Sequence, residues 1–188
     1  MRIITGSARG AKLKTPKGMA TRPTSDRVKE SLFSILGNEV LGKRILDIFA
    51  GTGGLGLEAL SRGAERACFI DKATVDIIKF NAEHTHLADK SEIYKGDVFS
   101  LMDRLMVQGK KFDLVFCDPP YHLGLWEKAL LQLDKGSLLA PDALVIVEQG
   151  GDENALPELN HLKLLRNQTY GKTTQINIFE YRQEMKEE

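Results

Sequence analysis

A glycine-rich turn joins a strand-like run to a helical pattern near residue 50. The run at 45–49 is Ile-Leu-Asp-Ile-Phe, and the turn at 50–56 is Ala-Gly-Thr-Gly-Gly-Leu-Gly. The helical pattern continues to Arg62, and Gly63 is suited to end it because glycine readily adopts positive φ. A strand, a glycine turn and a helix in this order form the entrance to a nucleotide-type site in an α/β sheet.

The rest of the chain alternates between strand-like and helical patterns, which is typical of a parallel, Rossmann-like sheet. We predict strands near residues 44–49, 66–70, 91–94, 112–117 and 143–148. The intervening helical patterns cover residues 55–62, 73–87, 98–107 and 125–134. Apolar segments at 162–166 and 175–181 predict a terminal β-hairpin, and segments 2–5 and 12–15 predict an N-terminal one. We expect a helix after the N-terminal hairpin, capped by Thr24 or Ser25.

The glycine turn is compatible with two kinds of cofactor. Gly51, Gly53 and Gly56 satisfy the G-x-G-x-x-G pattern of dinucleotide sites, and Asp71 ends the next strand-like run, where a ribose-binding acid is expected. Asp47 argues against a dinucleotide, because a carboxylate about 6 Å from a pyrophosphate is repelled by roughly 3 kcal/mol at an effective dielectric constant near 20. S-adenosylmethionine carries a sulfonium and an ammonium instead, which the same carboxylate favours. We therefore predict S-adenosylmethionine, with NAD as the alternative.

Two further carboxylates extend the predicted cofactor site. Asp71 could accept hydrogen bonds from both ribose hydroxyls, or it could be a solvated strand end. Asp97 follows the strand predicted near 91–94 and could lie beside the adenine amino group. It could also cap the helix that begins at Val98, and one residue could do both.

The tetrapeptide at 118–121, Asp-Pro-Pro-Tyr, follows the apolar run 112–117 and suits methylation of an amino group conjugated to a ring. Such an amine is a poor nucleophile because its lone pair is delocalised. The Asp118 carboxylate and the Pro119 carbonyl can accept hydrogen bonds from the two N–H groups of the amine. Because proline fixes φ, these acceptors have little conformational freedom. Tyr121 offers a flat face on which a flipped base can stack. The alternative is a strand-to-loop break, since two prolines end a ladder.

Charge is unevenly distributed along the chain. The 188 residues have a net charge of zero, but residues 1–22 contain no acidic residue and carry the basic residues Arg2, Arg9, Lys12, Lys14, Lys17 and Arg22. A basic arm on an otherwise acidic body suggests contact with a polyanion. The alternative is an ordinary lysine-rich loop, and the arm has no aromatic residue on which a base could stack.

Composition excludes several classes of protein. Charged residues at 28% and hydrophobic residues at 42% are ordinary for a soluble, single-domain globular protein. No run approaches the length of a transmembrane span, and the N-terminus lacks the apolar core of a signal peptide. Cys68 and Cys117 lie in apolar strands, which predicts buried thiols in a reducing cytoplasm. The histidines have no metal-ligand spacing, so we expect no metal site.

The two motifs in this order resemble the class I methyltransferases that modify exocyclic amines of nucleic-acid bases. More narrowly, the chain resembles the RsmD family of bacterial 16S rRNA guanine-N2 methyltransferases over nearly its whole length. The matching segments are Arg-Ile-Ile-Thr-Gly at 2–6, Arg-Pro-Thr-Ser-Asp-Arg-Val-Lys-Glu at 22–30, Asp-Ile-Phe-Ala-Gly-Thr-Gly at 47–53, Asp-Pro-Pro-Tyr at 118–121 and Tyr-Gly-Lys-Thr at 170–173. The Arg-Pro-Thr segment is the most specific part, because general amino-methyltransferases lack it.

This resemblance implies a mostly parallel seven-stranded sheet with an antiparallel last strand, preceded by an N-terminal β-hairpin and helix. We expect residues 1–39 to form a basic, RNA-contacting extension, residues 40–182 the methyltransferase domain and residues 183–188 a frayed tail. The implied reaction transfers a methyl group from S-adenosylmethionine to N2 of one guanine in 16S rRNA. The RNA would be presented by a partly or fully assembled small ribosomal subunit, and the enzyme would be a cytoplasmic monomer.

Carried over by position, the resemblance assigns three groups of residues. The cofactor would contact Asp47, Phe49, Gly51, Thr52, Gly53, Asp71, Lys72, Asp97, Val98 and Asp118. The catalytic group that holds the base would be Asp118, Pro119, Pro120 and Tyr121. RNA would contact Arg9, Lys12, Arg22, Thr24, Arg27 and Tyr121, although the Arg-Pro-Thr segment could equally be a helix-entry turn. The arm departs from the family at Ala8 and Ala11, where an aromatic and a basic residue are often found.

The implied chemistry is an in-line displacement at the methyl carbon. The carboxyl ends of parallel strands meet at one edge of a sheet, so we expect the glycine turn and the tetrapeptide to share a crevice. The alternatives are an adenine-N6 methyltransferase acting on DNA or RNA, an NAD-dependent oxidoreductase and a catalytically silent RNA-binding assembly factor. DNA enzymes of the first kind usually need a target-recognition segment, and no insertion here is long enough to supply one.

Overall fold

The computed structural model describes residues 1–17, 25–136, 138–153 and 155–183. Its strands are β1 (Arg44–Ile48), β2 (Arg66–Asp71), β3 (Ser91–Lys95), β4 (Phe112–Cys117), β5 (Leu139–Gly150), β6 (Leu162–Tyr170) and β7 (Thr174–Tyr181). Its α-helices are α1 (Asp26–Leu36), α2 (Gly54–Ser61), α3 (Val75–His84), α4 (Val98–Val107) and α5 (Leu125–Asp134). The strands form one sheet in the order β3-β2-β1-β4-β5-β7-β6. The predicted seven-stranded sheet is confirmed.

The first compact unit runs from Met1 to Val98 and contains three parallel strands. Leu46 of β1 is opposite Cys68 of β2, and Ile70 of β2 is opposite Tyr94 of β3. The runs in β1 and β2 are apolar almost without alternation, because both faces of a parallel sheet are covered. Their buried side chains form the core of this unit.

The second compact unit begins at Phe99 and combines parallel and antiparallel pairing. β4 pairs parallel with β5, whereas β7 runs antiparallel to both β5 and β6. The predicted antiparallel last strand and terminal hairpin are therefore confirmed. Cys117 in β4 and Cys68 in the first unit are both buried free thiols, as predicted.

Several element boundaries differ from the predicted ones. α3 begins at Val75 instead of residue 73, because the Asp71 carboxylate accepts hydrogen bonds from the amides of Ala73 and Thr74 and forms a turn there. β5 continues to Gly150, beyond the predicted 143–148, because its ladder with β7 extends to a pairing of Gly150 with Thr174. Such ends are decided by hydrogen bonds that form in the folded protein, which the local sequence pattern does not reveal.

The N-terminal segment folds back on itself as predicted, although it forms a single antiparallel bridge between Arg2 and Lys12 and no extended ladder. The Ile3 amide donates to the Ala11 carbonyl over 2.9 Å, and the Leu13 amide donates to the Met1 carbonyl over 3.1 Å. We call residues 1–17 the arm. The predicted helix follows as α1, and Ser25 caps it by accepting from the Val28 amide.

The arm is fastened to α2 by a buried charged cluster. Glu58 of α2 accepts hydrogen bonds from the amides of Ile4 (2.8 Å) and Thr5 (3.1 Å). Its carboxylate also forms ion pairs with Lys29 of α1 (3.1 Å) and with Arg62 (2.8 Å). Burial lowers the pKa of Lys29, and the Glu58 charge opposes that shift. Glu58 thus ties the arm backbone to α2, and removing Lys29 or Glu58 alone would leave a buried charge without compensation.

No helix in the described part of the chain is long and apolar enough to cross a membrane. The predicted division into residues 1–39, 40–182 and 183–188 stays a prediction, and residues 184–188 of the predicted tail lie outside the described residues.

Candidate active site

The glycine loop between β1 and α2 has an unusual backbone. Gly51 and Gly53 have φ values of 58° and 78°, which glycine adopts without a Cβ penalty. Phe49 also has a positive φ, at 58°, although it is not glycine. A non-glycine residue in this region carries local strain that the surrounding structure must hold in place, and such strain is concentrated at functional loops.

Asp71 at the end of β2 holds this loop. Its Oδ2 accepts a hydrogen bond from the Gly51 amide at 3.0 Å, while Oδ1 accepts from Ala73 (2.8 Å) and Thr74 (3.0 Å). One carboxylate thereby orders both the glycine loop and the start of α3. The proposed bonds from Asp71 to ribose hydroxyls stay a prediction, and they would have to share its oxygens with these amides.

Asp47 of β1 is a deeply buried carboxyl group, with 1% of its surface exposed. Its Oδ2 accepts a hydrogen bond from the Gly56 amide at 2.9 Å. Burial raises the pKa of Asp47 to about 8; the Gly56 bond opposes that shift and the nearby Asp71 charge adds to it. A cationic ligand would stabilise the ionised form of such a group.

Asn81 of α3 is a further residue of this region, and sequence reasoning missed it. Its side chain is fully buried, and its amide nitrogen donates to the carbonyls of Thr52 (2.9 Å) and Lys14 (3.0 Å). Its Oδ1 accepts from the Lys14 amide at 2.7 Å. The available signal was a polar residue on the apolar face of α3, between Ile78 and Ala82.

These features fit a cationic nucleoside cofactor such as S-adenosylmethionine. A Cβ built on Gly51 would meet nothing closer than the Phe49 carbonyl at 4.0 Å, so the loop is open at this point. The carboxyl groups of Asp47 and Asp71 both bond to backbone amides of this segment, those of Gly56 and Gly51 respectively. Two acids so close to the loop favour a cationic ligand over a pyrophosphate. The remaining predicted cofactor residues in this unit are the exposed Lys72, the exposed Asp97 and the buried Val98, which begins α4.

The tetrapeptide in the second unit directly follows β4, as predicted. Asp118 is partly exposed, Pro119 is buried and Pro120 is exposed. The Tyr121 hydroxyl donates a hydrogen bond to Glu148 of β5 at 2.8 Å and lies 3.3 Å from the hydroxyl oxygen of Thr174. Burial raises the pKa of Tyr121, so the phenol stays protonated and can keep donating. These bonds fix the orientation of the ring.

Glu153 orders the loop that follows the tetrapeptide. Its Oε1 accepts from the His122 amide (3.2 Å) and from the indole nitrogen of Trp126 (3.1 Å), and its Oε2 accepts from the Gly150 amide (2.9 Å). The loop from His122 to Trp126 is thus tied to the end of β5. Sequence reasoning missed Glu148, Glu153 and Thr174, because each lies more than 25 residues from the Tyr121 or Trp126 side chain that it contacts, and no local motif marks it.

Apart from Tyr121, the predicted RNA-contacting residues fall into two groups. Arg9 and Lys12 on the arm and Arg27 on α1 are exposed. Arg22 and Thr24 lie outside the described residues. Within the residues that the structure describes, no group of three or more His, Cys, Asp or Glu side chains could hold a metal ion.

Comparison with known proteins places the chain in a family. A profile of the family described as Conserved hypothetical protein 95 matches residues 1–179. The Haemophilus influenzae protein named Ribosomal RNA small subunit methyltransferase D is 37% identical over 174 residues, covering 91% of this chain and 89% of that protein. The Escherichia coli protein of the same name is 39% identical over 159 residues, covering 84% of this chain and 78% of that protein.

The fold comparison agrees with the sequence comparison. The solved structure of yhhF from Escherichia coli has a TM-score of 0.82 and 35% identity, covering 97% of this chain and 98% of that one. The predicted resemblance is therefore confirmed. The chain belongs to the family described as Conserved hypothetical protein 95, which is the family of the RsmD methyltransferases.

Proposed function

We propose that this protein transfers the methyl group of S-adenosylmethionine to the exocyclic N2 of a guanine in 16S ribosomal RNA. The observation that carries the proposal is the Asp-Pro-Pro-Tyr tetrapeptide after β4, with its tyrosine hydroxyl bound to Glu148. Relatives that share most of this chain are named ribosomal RNA small subunit methyltransferase D, which supports an rRNA substrate. A guanine N2 is the kind of ring-conjugated amine that the tetrapeptide suits.

In the proposed reaction, the tetrapeptide makes the amine nucleophilic and holds it. The Asp118 carboxylate and the Pro119 carbonyl would accept hydrogen bonds from the two N–H groups and draw the nitrogen towards a pyramidal state. Because positive charge develops on this nitrogen, acceptors stabilise the transition state, and no oxyanion hole is needed. The base would stack on the ring of Tyr121, whose orientation is set by Glu148 and Thr174. The proton can then leave to water or to Asp118.

The cofactor, when bound, would supply an electrophilic methyl carbon on a sulfonium. Residues of the glycine loop and the ends of β2 and β3 would hold it, together with Asp118 after β4. The proposed contacts are Asp47, Phe49, Gly51, Thr52, Gly53, Asp71, Lys72, Asp97, Val98 and Asp118. The buried Asp47 carboxyl favours a ligand that carries positive charge over one that carries phosphates.

We further propose that the substrate is presented by a partly or fully assembled small ribosomal subunit. The exposed basic side chains Arg9, Lys12 and Arg27 would contact RNA phosphates, and Arg22 and Thr24 of the Arg-Pro-Thr segment would act beside them. We expect a monomer that acts in the cytoplasm.

The proposal is tested by incubating the protein with labelled S-adenosylmethionine and small ribosomal subunits that lack the modification. Nuclease digestion and mass spectrometry should then identify N2-methylguanosine at one position. Label on an adenine N6 would favour the adenine methyltransferase instead. Binding to the particle without label would favour a silent assembly factor, and calorimetric binding of NAD in preference to S-adenosylhomocysteine would favour the oxidoreductase.

A further inference from the structure

An exposed aromatic side chain stands on α3, beside the basic arm. Phe80 is 46% exposed. Its ring is stacked with the ring of His84, with centroids 5.9 Å apart and planes inclined by 13°. The Lys14 ammonium lies 5.0 Å from the Phe80 centroid, in the geometry of a cation–π contact. We call these three residues the Phe80 surface.

The position of Lys14 at this surface is built into the fold. The buried Asn81, next to Phe80 in α3, accepts from the Lys14 amide at 2.7 Å and donates to the Lys14 carbonyl at 3.0 Å. Because this buried side chain is hydrogen-bonded to both the amide and the carbonyl of Lys14, the arm backbone has little freedom at that residue. The same amide donates to the Thr52 carbonyl, so the Phe80 surface is also fixed relative to the glycine loop.

Exposure of this ring is unusual within the protein. Among the described residues, the other large apolar side chains that are at least 40% exposed are aliphatic: Leu41, Val107, Leu123, Leu131, Leu156, Leu164 and Leu165. Scattered aliphatic exposure is ordinary in soluble proteins. A half-exposed phenylalanine with a histidine ring and a lysine ammonium beside it instead has the composition of the surfaces on which proteins stack unpaired bases.

The charges near the ring indicate how a nucleotide would lie. The arm contributes Lys14 and, further along, Lys12 and Arg9, with no acidic residue between positions 1 and 17. On α3, the exposed carboxylates of Asp76 and Glu83 outnumber the exposed ammonium of Lys79, so this stretch of the helix favours a phosphate less than the arm does. A sugar–phosphate backbone is therefore favoured on the arm side of the ring, and the base on the α3 side.

We propose that the Phe80 surface binds an unpaired nucleotide of the RNA substrate, outside the residues that hold the target base. The base stacks on Phe80 and His84, and Lys14 contacts a neighbouring phosphate. This inference rests on the proposed function, because it takes the substrate to be RNA. It also supplies an aromatic contact that the arm itself lacks, since residues 1–17 contain no aromatic residue.

The test uses the full chain with two fluorescein-labelled probes, a twelve-nucleotide oligoadenylate and an abasic oligomer with the same number of phosphates. Phe80→Leu keeps apolar bulk but removes the ring face, and it should weaken oligoadenylate binding by about 5- to 100-fold. Binding of the abasic oligomer should be unchanged. Phe80→Trp should bind oligoadenylate within about twofold of the wild type or more tightly, because indole also stacks. Leu41 is another exposed apolar side chain in the same unit, so Leu41→Ala is the matched control. It should change the affinity for neither oligoadenylate nor the abasic oligomer.

A second measurement separates stacking from phosphate contact and from folding. Lys14→Ala should weaken binding of both probes and reduce the salt dependence of the affinity. Thermal unfolding should shift little for any of these variants, because the altered side chains are exposed. Unchanged oligoadenylate binding by Phe80→Leu would overturn the proposal. The proposal would also be overturned if Phe80→Leu lost binding to small ribosomal subunits but kept its affinity for oligoadenylate. That result would assign the surface to contact with a ribosomal protein.

Failure here is distinguishable from failure of the proposed function. If the wild type methylates small subunits and Phe80→Leu has the same kcat/KM as the wild type, the reaction stands and the stacking site is wrong. If the wild type transfers no methyl group while oligoadenylate binding depends on Phe80, the stacking site stands and the proposed reaction is wrong. The binding measurement needs no methyl donor, so the two results are independent.

Discussion

The glycine loop of the first unit and the tetrapeptide region of the second are held in place by different means. In the glycine loop, side chains bond to backbone: Asp71 accepts from the Gly51 amide, Asp47 accepts from the Gly56 amide and Asn81 donates to the Thr52 carbonyl. In the tetrapeptide region, carboxylates accept from side chains as well as from backbone. Glu148 accepts from the Tyr121 hydroxyl, and Glu153 accepts from the Trp126 indole.

The difference has consequences for what each region tolerates. A loop whose own backbone is bonded and sterically crowded changes shape when a single Cβ is added, so damage there should reach cofactor binding and stability together. A loop that is oriented through side chains can lose one contact and remain folded. Damage in the tetrapeptide region should therefore lower the rate of methyl transfer while cofactor binding stays normal.

The largest effect on stability and cofactor binding together is expected from Gly56→Ala, in the first turn of α2. A Cβ on this helical glycine would lie 2.3 Å from Cε1 of the buried Phe69 ring and 3.1 Å from Oδ2 of Asp47. Overpacking of this kind costs about 1–3 kcal/mol of unfolding free energy. We expect the shift also to weaken S-adenosylhomocysteine binding at least about 100-fold, because the Asp47 carboxyl is displaced, as calorimetry would detect.

A double-mutant cycle tests the steric cause. Phe69→Leu makes room beside residue 56, so the double variant Gly56→Ala with Phe69→Leu should be less destabilised than the two single changes added together. Strict additivity in urea unfolding would show that the predicted clash is not the cause.

Asp47→Asn should separate charge from shape in the same loop. Since the folded pKa is about 8, the group binds a proton that the unfolded chain has lost above about pH 4. Its contribution to stability therefore falls as pH rises from about 4 to 8 and is constant above 8. The asparagine variant lacks this slope, so unliganded Asp47→Asn should be the more stable protein at pH 8.5, as measured by thermal unfolding.

Cofactor binding should show the opposite trend in the wild type. A cationic ligand favours the ionised Asp47, so the affinity for S-adenosylmethionine, which carries a sulfonium and an ammonium, should rise with pH up to about 8 and then level off. At pH 8.5 we expect Asp47→Asn to bind about 10- to 100-fold more weakly. An affinity of the wild type that is independent of pH between 6.5 and 8.5 would contradict the role of Asp47.

Glu153→Gln should act on the tetrapeptide region alone. A glutamine offers only one acceptor oxygen where Glu153 meets donors from His122, Trp126 and Gly150. Because misplacement of a positioned group costs rate, we expect kcat for methyl transfer to fall about 30-fold. Binding of S-adenosylhomocysteine should be unchanged. Glu158 is an exposed glutamate of the same segment, so Glu158→Gln is the control. An equal fall in kcat for that variant would contradict a specific role of Glu153.

Tyr121→Phe should have the smallest effect. The ring that we propose as the stacking surface for the base remains, and only the hydroxyl that bonds to Glu148 and faces Thr174 is lost. The loss of one hydrogen bond predicts a fall in kcat of about 3- to 5-fold. Tyr121→Ala, which also removes the ring, should be far slower in the same assay. If both variants lose activity equally, the hydroxyl has a role beyond orienting the ring.

Local pattern was sufficient to predict most of the fold. The glycine turn, the apolar strands and the tetrapeptide are contiguous signals, and β4, α4 and α5 have the predicted bounds. The antiparallel last strand followed from the family resemblance, and the terminal hairpin followed from the apolar segments at 162–166 and 175–181. The ends of α3 and β5 differed, because they are decided by the Asp71 turn and by pairing with β7.

Residues that support the site were harder to predict, for a physical reason. Asn81 is 29 residues from Thr52, and Glu148 is 27 from Tyr121, so no motif links them. Their roles come from hydrogen bonds formed only after folding. The high pKa of Asp47 likewise depends on burial, which the sequence motif indicates but does not quantify. Sequence therefore indicated the chemistry of the site, and the structure added the bonds that position it.

The most direct test of the account is a pair of measurements on Asp118→Ala. Asp118 is only one of the ten proposed cofactor contacts, so its loss should weaken S-adenosylhomocysteine binding by no more than about threefold, while methyl transfer to small ribosomal subunits should fall about a thousandfold or more. That result would place Asp118 in the chemistry of the base nitrogen. Methyl transfer at the wild-type rate would contradict the account.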